Sequence, residues 1–302
     1  MASVCECPAR MRTFIRALVT VSLCALVARA AEPRIDGKSH YANFGSNKVH
    51  YITAGSGDKT LVFIHGWSGN AKVWYEQAPA VASKAKLVFV DLPGHGQSDK
   101  PQTKYTMDFL ADGALAALRD AKVQKATLVG HSMGVAVICR MYAKAPDLVS
   151  GLVAVDGWLR RPELTSEQVE QFAGPYRKPG YREHTTRFIA SMFPSGDTDA
   201  VRDWLVAEVL KTPQHVMASA MEQMFNSAEP NWDLKKVEVP VIAVNASNPR
   251  WTAEYETYVK GLSPKSEYRV IEGVGHCLTF ERPAKFNAVF VELLNKHNLI
   301  GN

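Results

Sequence analysis

Short apolar runs alternate with helical patterns along most of this 302-residue chain. Seven runs rich in β-branched residues follow Lys48, and segments with helical periodicity separate most of them. The runs occupy residues 49–53, 61–64, 87–90, 126–129, 152–155, 241–244 and 268–271. Strands that are buried on both faces have this apolar character, and a helix between two strands lets them run parallel. The alternation therefore predicts an α/β fold with a mostly parallel, doubly wound sheet that helices cover on both faces.

The alternation stops for about 85 residues between Val155 and Val241. This stretch has helical periods and many aromatic and Met side chains, and it is too long for an ordinary loop. We interpret residues 160–231 as a helical cap inserted into a sheet domain of residues 31–159 and 232–302. The chain length suits one such domain with an insertion better than two separate domains.

The N-terminal 30 residues have the pattern of a secretory signal peptide. Arg10, Arg12 and Arg16 precede an apolar run over residues 17–28, and an Ala-Arg-Ala cleavage site ends at Ala30. A run of 12 residues is too short to cross a bilayer core as a helix. We predict a secreted or periplasmic protein cleaved after Ala30, with no stable membrane span once the leader is removed. An uncleaved N-terminal anchor is the alternative, and a lipoprotein is disfavoured because Leu23 rather than a small residue precedes Cys24.

The leader accounts for most of the excess positive charge. Without residues 1–30 the formal net charge falls from +5 to +2, and only Cys139 and Cys277 remain of the five cysteines. Two cysteines allow at most one disulfide and do not supply the four ligands of a zinc site. The chain has no phosphate-binding loop, dinucleotide fingerprint or nucleic-acid motif. We therefore expect neither a metal nor another cofactor and no nucleic-acid partner, while the oligomeric state stays open.

The segment Gly130-His131-Ser132-Met133-Gly134 carries the clearest chemical signal. It follows a predicted strand and precedes a helical pattern over residues 135–144. In a nucleophile elbow of the G-x-S-x-G type, the serine lies in a strained strand-to-helix turn, and the glycines let the two backbones approach. This context makes Ser132 the candidate nucleophile.

The chain resembles the α/β-hydrolase fold superfamily from about Tyr41 onward. Four motifs in order carry the resemblance: His65-Gly66-Trp67, the segment from Asp91 to Asp99 (DLPGHGQSD), the Gly130–Gly134 elbow, and Gly273-Val-Gly-His276. Together they indicate the subgroup of cap-bearing esterases, dehalogenase-like enzymes and C–C-bond hydrolases. They do not identify a substrate.

The resemblance implies that His276 is the catalytic base. It follows the last predicted strand, as expected for the chain order of nucleophile, acid and histidine in this superfamily. A serine hydroxyl needs such a base, because it is a weak nucleophile at neutral pH. His65 and His95 are expected to organise neighbouring loops, and His131 to pack beside the elbow.

At the acid of the implied triad, this sequence departs from the common family pattern. Many relatives have an Asp after the strand that corresponds to residues 241–244, but this chain has Asn248 there. We assign the acid to Asp156, which follows the strand at residues 152–155, where some dehalogenase-like and lipase-like relatives carry it. The alternatives are that Asp156 only caps a turn, that no competent acid exists, or that Asp91, Glu272 or Glu254 serves instead.

The superfamily's mechanism also implies an oxyanion hole made of two backbone N–H groups. One belongs to Met133, the residue after the nucleophile, and the other to Trp67 in the loop after His65-Gly66. The Trp67 ring either walls the pocket or packs in the core.

The predicted cap is rich in large apolar side chains. They are Phe172, Tyr176, Tyr181, Phe188, Met192, Phe193, Trp204, Met217, Met221, Met224 and Phe225. Most are expected to form the core of the cap, and the surplus, especially the three Met residues of 217–224, suggests an apolar pocket over Ser132. Arg160, Arg161, Arg182 and Arg187 are expected mainly on a solvated face, with recognition of a substrate carboxylate as the alternative.

These observations predict a serine hydrolase that cleaves a small, apolar ester or related acyl bond through an acyl-enzyme intermediate. The same triad is compatible with an acyltransferase or a C–C-bond hydrolase. Asn248 at the usual acid position leaves a third alternative, a non-catalytic ligand-binding homologue.

Overall fold

An eight-stranded sheet forms the centre of the protein in the computed structural model, which describes residue 1 and residues 32–193 and 198–301. The strands are β1 (Lys38–Phe44), β2 (Asn47–Gly55), β3 (Thr60–Ile64), β4 (Lys86–Val90), β5 (Ala126–His131), β6 (Val149–Val155), β7 (Val241–Ala246) and β8 (Glu267–Ile271). Their spatial order is β1-β2-β4-β3-β5-β6-β7-β8. Neighbours from β4 to β8 run parallel, whereas β2 pairs antiparallel with both β1 and β4. The predicted mostly parallel α/β sheet is confirmed.

The edge strand β1 is the one strand of this sheet that the apolar pattern does not predict. Its sequence, KSHYANF, is mostly polar, and Ala42 is its only buried residue. By contrast, all six residues of the central strand β5 are buried. An edge strand has one neighbour and can stay largely exposed, so hydrophobicity does not mark it.

Helices flank the sheet and contribute buried side chains to the core. In chain order they are α1 (Ala78–Val81), α2 (Met107–Asp120), α3 (Met133–Lys144), α4 (Ser166–Ala173), α5 (Tyr181–Ala190), α6 (Asp199–Val209), α7 (Gln214–Phe225), α8 (Ala253–Leu262), α9 (Leu278–Glu281) and α10 (Pro283–Lys296). Thr106 caps α2 by accepting a hydrogen bond from the Phe109 N–H, and the buried face of α2 is rich in Ala and Leu. Such amphipathic helices bury one stripe against the strands.

The stretch between β6 and β7 is helical in the described residues. It contains α4 to α7, and α4 begins with a capping box in which Thr165 and Gln168 satisfy each other's backbone N–H groups. The cap boundaries at residues 160 and 231 stay a prediction.

Residues Pro33–Asn302 form one compact unit. The predicted signal peptide falls on residues 2–30, which lie outside the described residues. None of the helices in the described ranges combines the length and the apolar composition that a membrane crossing requires.

The strand order places a crevice at the carboxyl ends of β3 and β5. From β3 the chain moves to β4 on one side, and it returns to β5 on the other. Loops that leave neighbouring strands in opposite directions leave room for a ligand between them. The loop after β3 carries Gly66 and Trp67, and the turn after β5 carries Ser132.

Candidate active site

Ser132 lies in a strained turn between β5 and α3. Its φ of 54° and ψ of −120° are unusual for a residue with a side chain. The flanking glycines are sterically required, since a Cβ at Gly130 would lie 2.4 Å from the Gly134 carbonyl oxygen and a Cβ at Gly134 2.4 Å from the Ile64 carbonyl oxygen. The close approach of α3 to β3 and β5 therefore holds the serine at the sheet edge.

Ser132, His276 and Asp156 form a continuous hydrogen-bonded chain. The Ser132 Oγ lies 2.9 Å from the His276 Nε2, and the His276 Nδ1 lies 2.5 Å from the Asp156 Oδ2. Asp156 follows β6 directly and has a φ of 43°, while His276 lies in the loop after β8. A base that contacts both a nucleophile and an orienting acid is the geometry of a serine triad.

The Asp156 carboxylate is buried and receives hydrogen bonds on both oxygens. Its Oδ1 accepts from the Ala246 N–H at 2.8 Å and from the Trp251 Nε1–H at 3.0 Å. Burial alone would raise the pKa of this carboxyl, but the hydrogen bond and charge of His276, together with the Ala246 N–H, hold the pKa below its ordinary value of 3.8. The group is therefore a carboxylate at neutral pH.

The other candidate acids lie away from His276. The Asn248 Oδ1 accepts a hydrogen bond from the Arg250 backbone N–H at 3.0 Å, so the amide shapes its own turn. Asp91 is buried against the His50 Nδ1 at 2.8 Å, and Glu254 pairs with Arg160 at 3.1 Å. Glu272 is exposed in the turn after β8. Among these candidates, Asp156 alone contacts the histidine.

The backbone N–H groups of Trp67 and Met133 are available beside the serine. Met133 is the first residue of α3, and neither N–H donates a hydrogen bond within the part of the chain that the structure describes. A Cβ at Gly66 would lie 3.1 Å from the Ser132 Cβ, which shows how closely the β3 loop approaches the nucleophile. Two such free donors suit a developing oxyanion.

The Trp67 ring forms a wall between the sheet and the helices that follow β6. Its Nε1–H donates to the Met217 carbonyl of α7 at 2.9 Å, and its ring packs against Tyr176 and Phe188 at centroid distances of 4.7 and 5.8 Å. This residue therefore contacts both the β3 loop and the helical segment. The Trp67 ring therefore both forms a wall and packs against neighbouring side chains.

Three buried histidines hold the surrounding loops. The His65 Nε2 accepts from the Leu92 N–H at 3.0 Å while its Nδ1 donates to the Gly66 carbonyl. The His131 Nε2 donates to the His276 carbonyl at 2.9 Å. Burial lowers the pKa of His65, and it lowers the pKa of His131 and of His95 to about 3 in each case. These rings are neutral at pH 7 and are placed to organise loops.

A cavity of about 590 Å³ lies over Ser132 and His276. Six of the eleven large apolar side chains listed above for the predicted cap line it, namely Phe172, Phe188, Met192, Met221, Met224 and Phe225. Met217 is fully buried and Tyr176 is 1% exposed, and both pack within the helical segment. Trp158 and Trp232, which flank that segment, also line the cavity and are not marked by the helical pattern. The cavity is mainly apolar.

The four arginines predicted near the cap do not line this cavity. Arg160 pairs with Glu254, and Arg161 donates to the carbonyls of Asn226 and Glu229. Arg182 donates to the Leu210 carbonyl, and Arg187 borders a separate shallow depression. Arg182 and Arg187 are exposed, as expected for a solvated face, whereas Arg160 and Arg161 are half-buried. In residues 32–193 and 198–301, no group of three or more His, Cys, Asp or Glu side chains is arranged to hold a metal ion.

Trp251 and the Ala246 amide are the parts of the site that sequence reasoning does not find. Ala246 is the last residue of β7 and Trp251 lies in the loop that follows, and both donate to Asp156, the residue after β6. Trp251, three residues after Asn248, does not belong to any sequence motif. Only the fold shows that its indole N–H reaches across to Asp156.

Comparison with known proteins agrees with this fold. A family model described as "alpha/beta hydrolase fold" matches residues 59–201. The chain is 26% identical to an (E)-2-((N-methylformamido)methylene)succinate hydrolase of Acinetobacter baylyi, over 79% of this chain and 91% of the relative. It is also 26% identical to a pimeloyl-[acyl-carrier protein] methyl ester esterase of Edwardsiella ictaluri, over 81% of this chain and 96% of the relative.

One relative is considerably longer than the match. A dihydrolipoyllysine-residue acetyltransferase component of an acetoin cleaving system from Pseudomonas putida is 26% identical over 80% of this chain, and the match spans 65% of that protein.

Solved structures share the fold at lower identity. A bromoperoxidase from Bacillus anthracis superposes with a TM-score of 0.76 at 21% identity, over 85% of this chain and all of the bromoperoxidase. A thermophilic esterase from Thermogutta terrifontis gives a TM-score of 0.75 at 21% identity, over 86% of this chain and 99% of the esterase. At this identity the likeness concerns the fold alone.

Proposed function

We propose that this chain, which belongs to the α/β-hydrolase fold superfamily, is a serine hydrolase that cleaves a small ester or related acyl bond. The observation that carries the proposal is the hydrogen-bonded chain from the Ser132 Oγ through His276 to Asp156, at 2.9 and 2.5 Å, which borders an apolar cavity. The free N–H groups of Trp67 and Met133 lie next to it. Nucleophile, base, acid and oxyanion donors are all present in one place.

The acylation step begins when the Ser132 Oγ attacks the substrate carbonyl carbon. His276 takes the hydroxyl proton on its Nε2, and the carbonyl oxygen becomes an oxyanion that accepts hydrogen bonds from the Trp67 and Met133 N–H groups. The C–O bond to the leaving alcohol then breaks, and the proton moves from His276 to the departing oxygen. The product of this step is an ester of Ser132.

The deacylation step repeats the chemistry with water. His276 removes a proton from a water molecule, whose oxygen attacks the acyl carbon, and the bond to the Ser132 Oγ breaks as His276 returns the proton to it. Asp156 keeps the Nδ1–H of His276 hydrogen-bonded and stabilises the imidazolium that forms in each step. The acid product and the free enzyme result.

The cavity indicates the substrate class. Its volume of about 590 Å³ lies in the range of small-molecule sites, and aromatic, Met and aliphatic side chains form most of its wall. An apolar acyl or alcohol group gains binding free energy there by leaving water. The names of two relatives, a pimeloyl-[acyl-carrier protein] methyl ester esterase and an (E)-2-((N-methylformamido)methylene)succinate hydrolase, support hydrolysis as the reaction.

Acyl transfer is the second candidate on the same residues, favoured by a relative named as an acetyltransferase component. Acyl transfer differs from hydrolysis only in the acceptor, which is an alcohol or amine in place of water. C–C-bond hydrolysis, a further alternative, differs in the leaving group. Product partitioning with added alcohols separates transfer from hydrolysis. The contact between His276 and Asp156 favours a catalytic protein over a non-catalytic ligand-binding homologue, an alternative that rested on Asn248 at the usual acid position.

Fluorophosphonate labelling tests the proposed function. We expect one label per chain on Ser132, together with hydrolysis of p-nitrophenyl butyrate and a burst of p-nitrophenol where deacylation is slower than acylation. Peptide mass spectrometry locates the label, and stopped-flow absorbance follows the burst. Folded protein that shows neither label nor ester hydrolysis would refute the proposal.

We also propose that the protein is exported, on the basis of the pattern in residues 1–30. Expression of the full chain followed by fractionation and N-terminal sequencing tests this. The expected product begins at Ala31 and is found in the periplasm or the medium. A cytoplasmic product that keeps Met1 would contradict export.

A further inference from the structure

A single cationic side chain lines the cavity over Ser132. Among the cavity-lining residues in the described part of the chain, Arg250 is the only Arg or Lys. It lies in the loop after β7 beside Ser247 and Asn248, which also line the cavity. The side chain is solvent-exposed, so it lies where the cavity opens to water. The loop after β7 thus contributes three polar side chains to a mainly apolar pocket.

The guanidinium of Arg250 is held in place without being neutralised. Its Cζ lies 5.5 Å from the centroid of the Trp251 ring, and the Asn248 Oδ1 anchors the Arg250 backbone N–H at 3.0 Å. No carboxylate lies within ion-pair distance of it in residues 32–193 and 198–301, although its charge contributes to lowering the pKa of the Asp156 carboxyl. Arg160, by contrast, is paired with Glu254. Arg250 therefore presents free N–H donors.

The loop after β7 also connects this cation to the triad through a chain of contacts. The Trp251 indole that stacks under Arg250 donates its Nε1–H to Asp156, the residue that contacts His276. A substrate group bound to Arg250 would consequently be close to the reacting carbonyl. The planar guanidinium fork matches the two oxygens of a carboxylate, and low-dielectric cavity walls strengthen the attraction.

We propose that Arg250 binds a carboxylate of the substrate, so that the preferred substrates are monoesters of dicarboxylic acids with an apolar chain between the two acid groups. This inference rests on the proposed serine hydrolase function. The apolar wall takes the methylene chain, Ser132 attacks the ester carbonyl, and the free carboxylate lies against Arg250, with the Asn248 amide as a further hydrogen-bond donor nearby.

Two esters with matched chains test the proposal. Monomethyl adipate and methyl hexanoate differ in that one carries a terminal carboxylate where the other carries a methyl group. We expect the native protein to favour monomethyl adipate by about tenfold in kcat/KM, which is the scale of one charge-assisted hydrogen-bonded pair near solvent. In Arg250→Gln the preference is lost through a higher KM for the anionic ester, while methyl hexanoate changes less than about twofold.

Arg160→Gln is the matched control, because it removes the same charge from a half-buried arginine that lies outside the cavity and pairs with Glu254. It should keep the preference for monomethyl adipate. Equal use of the two esters by the native protein, or a preference that survives Arg250→Gln, would overturn the carboxylate site. An equal fall for both esters would also overturn it, since Arg250 would then act on Asp156 rather than on substrate. Failure of the native protein to hydrolyse either ester, with no fluorophosphonate label, would instead refute the proposed function.

Discussion

Replacing Ser132 with alanine is expected to lower kcat for ester hydrolysis by about 10⁶-fold, which is the scale of losing a triad nucleophile in a serine hydrolase. The variant keeps the cavity, His276 and the oxyanion donors, but no hydroxyl remains to form the acyl-enzyme. It should also lose all fluorophosphonate labelling. Steady-state hydrolysis of p-nitrophenyl butyrate and mass spectrometry of the intact chain measure the two effects.

A second serine with nearly the same hydrogen bonds provides the control. The Ser39 Oγ lies 2.7 Å from the His50 Nε2, and the His50 Nδ1 lies 2.8 Å from the Asp91 Oδ2. Ser39 belongs to the edge strand β1, where it pairs with Ile52, and it does not precede a helix. Because it lacks the elbow and its free amides, we expect Ser39→Ala to keep full activity. A label that persists on Ser39 in the Ser132→Ala variant would show that the wrong serine is assigned.

Hydrogen-bond distances alone therefore do not define a nucleophile. Ser132 differs from Ser39 in its strained turn, in the helix that starts at the next residue and in the cavity above it. The first two of these are visible in the sequence as a strand, a G-x-S-x-G motif and a helical pattern. This is why the candidate nucleophile could be predicted before the structure was known.

The sequence predicts the buried strands. It does not predict the exposed strand β1 or the packing between residues that are distant in the chain. The seven apolar runs correspond to β2 to β8: β2 to β7 lie between two neighbouring strands, and the edge strand β8 still buries Tyr268 and Ile271. The exposed strand β1 leaves no such pattern. The division of the cap side chains between core and cavity depends on how α4 to α7 pack, which helical periodicity does not encode.

The position of the triad acid could likewise not be assigned from the sequence alone. Chain order allows Asp156 after β6, and a family pattern favours the loop after β7, but spacing does not measure the distance from either to His276. In the folded chain β6 and β7 are neighbours, so their loops meet, and Asp156 takes hydrogen bonds from Ala246 and Trp251. The loop that holds the acid in many relatives here supplies donors to it.

Removing the Asp156 charge should also change the pH dependence of stability. The pKa of this carboxyl in the folded protein is held below its ordinary value of 3.8. Its contribution to the free energy of unfolding is therefore complete at pH values above the unfolded-state pKa and is lost as pH falls through the lowered folded-state pKa. We expect Asp156→Asn to be less stable than the native protein at pH 7, by an amount that shrinks on acidification. Urea unfolding at pH 7 and below pH 4 measures the difference.

The catalytic effect of Asp156→Asn is expected to be a fall in kcat of about 10⁴-fold, the loss found when a triad acid becomes an amide. An amide can still accept hydrogen bonds from Ala246 and Trp251 on its oxygen, which turns its NH₂ group toward the His276 Nδ1. Two donors cannot face each other, so the imidazole places its proton on the Nε2 instead. In that tautomer the ring cannot take a proton from the Ser132 Oγ.

Asn248→Ala separates this assignment from the family pattern. Asn248 accepts a hydrogen bond from the Arg250 N–H and does not contact His276, so its removal should lower kcat for p-nitrophenyl butyrate less than about threefold. An Asp156→Asn enzyme of near-native activity, or an Asn248→Ala enzyme that loses it, would assign the orienting role to the β7 loop. With the expected pair of results, the acid lies after β6, and the loop after β7 is left to hold that acid and to present Arg250 to the cavity.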